Sequence, residues 1–535
     1  MAFSLSPAVT VNELDLTTTI PAVATSIGGI VGNFSWGPIN ERRLISTPDT
    51  LRKIFNDPNE SNFDNWFNAE NFLGYSNSLY VVRTAAADAI NASNIRALTS
   101  AVENFQDFQT KLSTLEASTN TVIAKYAGVF GNTISLAYTN GAGFNNWAYK
   151  NEFDYTPDDA NQEIALVVLV GGIVKERYLL SAVKTSKDYE GSSNYIVETV
   201  NRKSSYVYIL EAFVERNSQG VSTLTNGTVA LTNGTDGGVP SDANYQSSVD
   251  LFKNASLFDV NFMIQTGSAV VGKYILENIA QTRRDCIAIC STTSESVVGV
   301  SDDVAAQNSV NVRASFGSSS YGFFVDNYKY QYDKYNDKYR WVSLAGDVAG
   351  LMARATDNGE AWTSPAGYTH GKIKNVTRLA YNPDKALRDL LYKNQVNPII
   401  TEGNDGTILL GDKTMQAKPS AFSFYNVRRL FIVIEKAIAT ASKYQLFDFN
   451  DEFSRINFRN MVVPYLRGVQ SRRGILDFRV KCDEQNNTAE IIDAGQFVAD
   501  IYVKPNRTIQ GMNLNFIATK TGVDFEELIA ARSAQ

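Results

Sequence analysis

The clearest pattern of hydrophobic and polar positions lies between Gly474 and Thr519. Apolar and polar residues alternate there in three runs, at 476–483, 497–504 and 512–519. Because successive side chains of a strand point to opposite faces, each run predicts a strand with one buried face. Pro505 is expected to end the second strand, because proline cannot donate a ladder hydrogen bond. The apolar positions of the first run are Leu476, Phe478, Val480 and Cys482.

The third run has no later strand in the sequence to pair with, so we expect it to join the edge of another copy of the chain. Its apolar side includes Met512, Leu514 and Phe516. Residues 6–20 form a second extended, β-prone segment without helical spacing, which is either a disordered tail or a strand that docks elsewhere. Its apolar positions are Pro7, Val9, Val11 and Leu14.

Helical spacing appears elsewhere in the chain. Thr47-Pro48-Asp49 begins one predicted helix, because proline is favoured at an early helical position. The spacing predicts further helices over 63–73, 274–282, 344–356, 385–394 and 427–441, and another from Phe453 to Gly468 at the latest. Strands are predicted at 27–32, 78–83, 260–264 and 286–291. Strands alternating with helices indicate an α/β domain.

The segment from residue 91 to residue 235 differs, because it is rich in strand and turn signals. Gly171-Gly172 interrupts an apolar run and predicts a hairpin turn. Overall the patterns predict a multidomain α+β protein with extended N- and C-terminal arms. We expect an α+β domain from 1–25 and 375–535, an α/β domain from 26–90 and 236–374, and a β-rich insertion at 91–235.

Composition places the chain among folded proteins, with 535 residues, 44% hydrophobic and 20% charged. A net charge of −7 argues against a nucleic-acid or anionic-membrane partner. Residues 375–535 carry a net charge of +3, which would suit an acidic protein partner. No secretion signal is recognised, and the longest apolar run, at 164–174, is too short to span a bilayer. Three cysteines cannot form a disulfide framework, which favours a reducing compartment.

Candidate chemistry is sparse. Gly406 to Thr414 nearly matches a phosphate-binding loop, but Asp412 separates Gly411 from Lys413, and the loop needs the lysine directly after the glycine. A strand between turns is the preferred interpretation. The alternative is a nucleotide-hydrolysing motor that uses this loop.

The sequence evidence for a metal site or a catalytic site is as weak as that for the phosphate-binding loop. Cys286 and Cys290 lie on one face of a predicted strand, and His370, the one histidine, lies in a predicted loop, so no zinc set can be assembled. Tyr328, Tyr330 and Tyr332 share one face of a strand and could stack single-stranded bases. Neighbouring aspartates offset the charge that such binding needs. We therefore predict no catalytic, cofactor-binding or metal-binding residue, no direct nucleic-acid binding and no stable membrane binding.

Several motifs resemble the contractile tail sheath family of T4-like bacteriophages. They lie at both ends of the chain and across most of its second half: Phe34-Ser-Trp-Gly-Pro38, Asn71-Phe-Leu-Gly-Tyr75, Leu79-Tyr-Val-Val-Arg83, Asn327–Asn336 with Arg340-Trp341, Ser364-Pro-Ala-Gly-Tyr368, Tyr425–Leu430, Ser442-Lys-Tyr444, Phe497-Val-Ala499 and Thr521-Gly-Val-Asp-Phe525. Residues 91–235 match poorly.

The resemblance implies a non-enzymatic subunit that forms stacked hexameric rings around a tail tube. Contraction would drive the tube through the host envelope for genome ejection. The two arms would add strands to sheets of neighbouring copies, and the domain containing both chain ends would lie innermost, with residues 91–235 outermost. Implied partners are the tail tube, baseplate and tail terminator proteins, in a virion tail that assembles in the host cytoplasm. Basic candidates to face the tube are Arg428, Arg429, Arg472 and Arg473. The sheath of a phage-derived injection or secretion device is the nearest alternative.

Overall fold

The structure is a computed structural model that describes residues 25–403, 405–510 and 512. The leader positions Pro7, Val9, Val11 and Leu14 and the arm positions Leu514 and Phe516 lie outside these residues. Among the described residues, no helix combines the length and the hydropathy needed to cross a membrane.

The strands are β1 Gly28–Asn33, β2 Arg42–Ile45, β3 Leu79–Thr84, β4 Asn91–Ser93, β5 Val122–Ala127, β6 Ile134–Thr139, β7 Glu163–Val170, β8 Ile173–Ser181, β9 Val207–Ile209, β10 Asn226–Ala230, β11 Phe262–Ile264, β12 Ile287–Ser291, β13 Gly322–Val325, β14 Tyr328–Asp333, β15 Lys338–Ser343, β16 Arg378–Leu379, β17 Ile399–Glu402, β18 Gly406–Leu409, β19 Ile475–Lys481 and β20 Asp500–Pro505. The helices are α1 Pro48–Phe55, α2 Phe63–Leu73, α3 Phe105–Glu116, α4 Gly141–Phe144, α5 Ile196–Lys203, α6 Asp242–Val249, α7 Ala269–Tyr274, α8 Gln281–Arg283, α9 Ser294–Val297, α10 Asp302–Ser315, α11 Ala345–Asp357, α12 Gly367–His370, α13 Lys385–Lys393, α14 Tyr425–Ser442, α15 Glu452–Ser471 and α16 Ala489–Asp493. A π-helical turn, Ile275–Ala280, joins α7 to α8.

A six-stranded sheet forms the centre of the molecule, in the order β13-β12-β11-β1-β3-β2. All neighbours are parallel except β2 and β3. Strands β1, β12 and β13 are buried on both faces, as the continuous apolar runs in the sequence require. A Cβ atom at Gly28 would lie 2.7 Å from Cζ of Phe72, so this glycine permits close packing.

Short-range sequence signals predicted several helices correctly. The Thr50 N–H donates to Oγ1 of Thr47 at 3.1 Å, and Pro48 takes the first helical position of α1, as predicted. Helix α2 ends at Gly74. It packs with α11 over one face of the central sheet, in a core that includes Trp66, Phe72 and Met352. The mixed α/β, multidomain character expected from the sequence is confirmed.

Residues beyond 375 contribute to the cores on both faces of this sheet. Tyr381, Leu391 and Met415 pack on one face, and Ile399 and Leu409 on the other. The predicted domain boundary at residue 375 therefore cuts through packed cores. The division into three domains stays a prediction.

Two smaller sheets lie between residues 91 and 235, in the orders β4-β5-β9 and β10-β6-β7-β8. The predicted turn between β7 and β8 is confirmed, because Gly171 and Gly172 adopt φ angles of 57° and 81°, a region that favours glycine. Helix α3 was not predicted. It begins after Asn104, whose side chain accepts from the Asp107 N–H at 3.1 Å.

The tyrosine-rich strand β14 turns its polar side inward. Lys329, Gln331 and Asp333 are buried, whereas Tyr332 is exposed. Lys329 Nζ lies 2.8 Å from Oδ2 of Asp347, which compensates the buried charge. The strand was predicted, but the identity of its buried face depends on partners that are distant in sequence.

Candidate assembly surface

Strands β19 and β20 form an antiparallel hairpin that stands apart from the other sheets. Phe478, Val480, Ile501 and Val503 pack against apolar side chains of α14 and α15. Within the part of the chain that the structure describes, neither strand pairs with a third one. The hairpin therefore presents two open edges of backbone N–H and C=O groups, which other strands can join.

Leu476 was predicted to be buried, and this was wrong. An irregularity in the pairing between Ile475 and Asp477 turns Leu476 outward, where it is 63% exposed, and Ile475 is buried instead. The later positions keep the predicted alternation, and Cys482 is buried. The second strand ends at Pro505, as predicted.

The first turn of α14, residues 425–429, holds both ends of the described chain, and we call it the arm junction. Nη2 of Arg429 donates to the carbonyl oxygen of Thr25. Nδ2 of Asn426 donates to the carbonyl oxygen of Asn506 at 3.0 Å. Residues three apart on a helix are neighbours on its surface, so Thr25 and Asn506 are held by the same helical turn.

Two of the four predicted tube-facing arginines are buried, so those predictions were wrong. Arg429 has no exposed surface, and its guanidinium lies 4.8 Å from the ring centre of Phe262. Arg428 lies 3.7 Å from the ring centre of Phe422. Burial lowers the pKa of both guanidinium groups from their ordinary value. Both side chains therefore pack inside this subunit.

Arg472 and Arg473 are exposed, at the end of α15. Nη1 of Arg472 pairs with Oε2 of Glu360 at 3.0 Å, and its guanidinium lies 5.3 Å from the ring centre of Trp362. Arg473 adopts the left-handed conformation that ends the helix. These two arginines stay candidates for contact with another protein.

Sequence reasoning missed an exposed group of apolar residues between α14 and α15. We call residues 444–450 the aromatic loop; Phe447 and Phe449 are almost fully exposed there, and Phe453 projects nearby from the first turn of α15. The loop borders a groove of about 620 Å³ that is also lined by Phe458 and Phe497. Contiguous exposed apolar surface marks interaction sites. The sequence signal that could have identified this loop is a cluster of aromatic residues spaced with neither strand nor helix periodicity.

The glycine-rich segment 406–414 is not a phosphate-binding loop. Gly406–Leu409 is strand β18, paired antiparallel with β17, as the preferred interpretation predicted. Nζ of Lys413 donates to the carbonyl oxygen of Tyr392 at 2.9 Å and lies 3.9 Å from the centre of that ring. The Lys413 side chain is therefore bonded within the fold. Segment 406–414 does not offer the phosphate-binding lysine that the nucleotide-hydrolysing motor would need.

The remaining candidates are the two cysteines and the histidine. Cys286 and Cys290 are buried in the core of the central sheet, as predicted, and burial raises the pKa of each thiol to about 12. His370 ends the one-turn helix α12 rather than lying in a loop. Across the described residues, no group of three or more His, Cys, Asp or Glu side chains could hold a metal ion.

Comparisons with known proteins agree with this architecture. The family model described as the phage tail sheath protein central domain matches residues 258–415, and that of the phage tail sheath C-terminal domain matches residues 417–519. The tail sheath protein of Enterobacteria phage T4 is 30% identical over 661 aligned residues, which cover 98% of this chain and 99% of the relative.

The chain belongs to the phage tail sheath protein family.

A second relative, the tail sheath protein of Vibrio phage KVP40, is 29% identical over 676 residues, covering 98% of this sheath protein and 99% of the relative. Solved structures share the fold. A sheath tail protein from Listeria innocua matches with a TM-score of 0.58 at 12% identity, over 91% of this chain and 96% of that chain. The contracted sheath of an extracellular contractile injection system matches with a TM-score of 0.54 at 12% identity, over 98% and 100%. The protein is thus a structural subunit of a contractile tail sheath.

Proposed function

We propose that this sheath protein polymerises as stacked hexameric rings around a phage tail tube, and that contraction drives the tube through the host envelope for genome ejection. The observation that carries this proposal is the hairpin β19–β20 with its two open edges. A hairpin of two strands is marginally stable alone, whereas added strands would complete the sheet. Relatives from phages, matched over nearly their full length, favour a virion tail over a phage-derived injection device.

The added strands would be the arms of neighbouring copies. In this proposal the positions Pro7, Val9, Val11 and Leu14 of the leader and Met512, Leu514 and Phe516 of the C-terminal arm form these strands. Each backbone hydrogen bond contributes roughly 0.5–1.5 kcal/mol net. The same links repeated in every copy would hold the lattice together while the subunits rotate during contraction.

Contraction in this proposal needs no catalysis. The extended array would be kinetically trapped, and release at a baseplate would let subunits bury further surface against one another. A tail terminator protein would close the other end, and assembly would take place in the host cytoplasm. The exposed Arg472 and Arg473 would make weak contacts with an acidic tube, which must break on contraction.

Electron microscopy of the purified full chain tests this proposal. We expect hollow striated cylinders, and we expect none from variants that lack residues 1–24 or residues 511–535. Cylinders of unchanged yield from either truncated chain would contradict the role of the arms. Reversal of Arg472 and Arg473 to glutamate should reduce assembly around the tube, but not the melting temperature of the subunit.

A further inference from the structure

The C-terminal segment beyond the hairpin is attached to the body through one buried carboxylate. Asp412 is 2% exposed and lies between strand β18 and the arm junction. Its Oδ2 accepts from Oγ1 of Thr508 at 3.0 Å, and its Oδ1 accepts from Nε2 of Gln510 at 2.9 Å. A third donor, Oγ of Ser364, lies 3.0 Å from Oδ2.

Among the described residues this carboxylate forms no contact ion pair, since Nζ of neighbouring Lys413 donates to the carbonyl oxygen of Tyr392. A buried charge without a counter-ion is costly, and its hydrogen bonds must compensate for that cost. Two of the three donors lie on the segment that directly precedes the predicted arm. The buried carboxylate therefore keeps its bonds from Thr508 and Gln510 only when this segment is in place.

Little else holds the segment. The Asn506 N–H donates to the carbonyl oxygen of Gly474, and the Asn506 carbonyl oxygen accepts from Nδ2 of Asn426 in the arm junction. After it, Arg507 is exposed, and Ile509 is 81% exposed and so contributes little apolar contact. Among the described residues, the remaining side-chain bond from this segment to the body runs from the Tyr392 hydroxyl to Oε1 of Gln510, at 2.6 Å. The side-chain bonds of Thr508 and Gln510 thus determine where this segment lies.

The Asp412 backbone is itself tied to the arm junction, because its carbonyl oxygen accepts from the Tyr425 N–H at 2.8 Å. The carboxylate is therefore fixed relative to the helix that also holds Thr25 and Asn506. A fixed acceptor can impose one direction on the chain that it binds.

We propose that Asp412 is a positioning residue for the C-terminal arm. It holds Thr508 and Gln510 so that the chain from residue 511 onward leaves the body at one place and in one direction. The inference rests on the proposed function, since the arm must reach the hairpin of a neighbouring copy. A fixed starting point reduces the conformational entropy that the arm loses when it pairs.

The test measures tryptic cleavage after Arg507 in the unassembled full chain, by mass spectrometry of the released fragment. Thr508→Val combined with Gln510→Ala removes both donors without altering the body, and Asp412→Ala removes the acceptor. We expect cleavage to be about tenfold faster in both variants, which corresponds to about 1.4 kcal/mol. The control is Asp405→Ala, which removes an exposed carboxylate between β17 and β18 and should cleave as the wild type does.

Adding Asp412→Ala to the double variant should not speed cleavage further, because the bonds from Thr508 and Gln510 to Asp412 are already lost in it. Asp412→Asn keeps one acceptor oxygen and should restore most of the protection. In assembly, we expect the double variant to need at least a tenfold higher protein concentration to form cylinders, at an unchanged melting temperature.

Wild-type cleavage rates in the double variant would overturn the proposal, as would faster cleavage with unchanged assembly. If the wild-type chain itself formed no cylinders, the proposed function would fail. The cleavage rates would then still decide whether Asp412 holds the segment, so the two failures are distinguishable.

Discussion

The central sheet and the C-terminal hairpin place the same kind of element in opposite circumstances. Strand β1 has a neighbour on each side, β11 and β3, and is buried on both faces, so its ladders are closed inside the subunit. Strands β19 and β20 have one neighbour each among the described residues, and their outer face exposes Leu476 and Tyr502. The difference separates two tasks: the central sheet stabilises the subunit, and the hairpin remains available to other chains.

Charged pairs also differ between the central sheet and the surface beside the hairpin. Lys329 and Asp347 pair in the core without exposure to solvent, and the Tyr75 hydroxyl donates to the same carboxylate at 3.1 Å. Arg472 and Glu360 pair at the surface beside the hairpin. Changes to charges should therefore cost stability in the centre and assembly at the hairpin. The following predictions test this division.

The largest effect is expected for Lys329→Met, which leaves the Asp347 carboxylate buried and unpaired. Urea unfolding of the subunit should show a loss of about 3–5 kcal/mol. The double variant with Asp347→Leu should recover much of this loss, because it removes both charges. A loss below 1 kcal/mol in the single variant would contradict the view that the centre depends on this pair.

The aromatic loop should give the reverse result. Phe447→Ser combined with Phe449→Ser should leave the free energy of unfolding within about 0.5 kcal/mol of the wild type, because both rings are exposed. Sedimentation should show weaker assembly, by about 1.5–3 kcal/mol for each ring that is buried in the lattice. Tyr189→Ser, which changes an exposed ring in the 91–235 region, is the matched control. Unchanged sedimentation of the double variant would remove the loop from the assembly surface.

A smaller, pH-dependent effect is expected at Asp326, a buried carboxyl that accepts from the hydroxyls of Tyr381 and Ser309. Burial raises its pKa to about 6. Because the folded-state pKa exceeds the unfolded value, its contribution to stability is fully present below pH 4 and is lost as the pH rises through 6. The stability of Asp326→Asn relative to the wild type should therefore increase by about 1–2 kcal/mol between pH 5 and pH 7.5. Thermal unfolding at both pH values checks the sign.

The smallest effect is expected for Glu360→Gln, which breaks the exposed pair with Arg472. The free energy of unfolding should fall by no more than about 1 kcal/mol, and 1 M salt should remove the difference. A loss of unfolding free energy as large as that of Lys329→Met would contradict the distinction between stabilising charges in the centre and assembly charges at the hairpin.

How far the sequence could predict this structure depends on where the determining contacts lie. The start of α1 and the turn at Gly171-Gly172 were predictable, because the residues that fix them are adjacent. The inward side of β14 was not, since Asn71, which donates to Gln331, lies 260 residues away. The burial of Arg429 likewise depends on Phe262. A prediction that an arginine lies at the surface, made from its charge alone, fails when the guanidinium packs against an aromatic ring that is distant in sequence.

The candidate site was predictable in part for the same reason. Alternation identified both strands of the hairpin, but the irregularity at Leu476 depends on the pairing register with β20. The aromatic loop lacks any periodic signal, so its exposure follows only from the placement of α14 and α15. The sequence drew attention to Asp412 because this residue interrupts a phosphate-binding motif. Its contacts with Thr508 and Gln510 could not be predicted, because these residues meet it only in the folded chain.

The arm junction has a mechanical consequence. Tension entering a subunit through its N-terminal segment would reach α14 at Arg429, and tension from the C-terminal segment would reach the same helix at Asn426, one turn away. A load passed along a chain of such subunits would bypass residues 91–235 altogether. That region could then vary in size, or carry an added cargo domain at Gly171-Gly172, without weakening the tail under load.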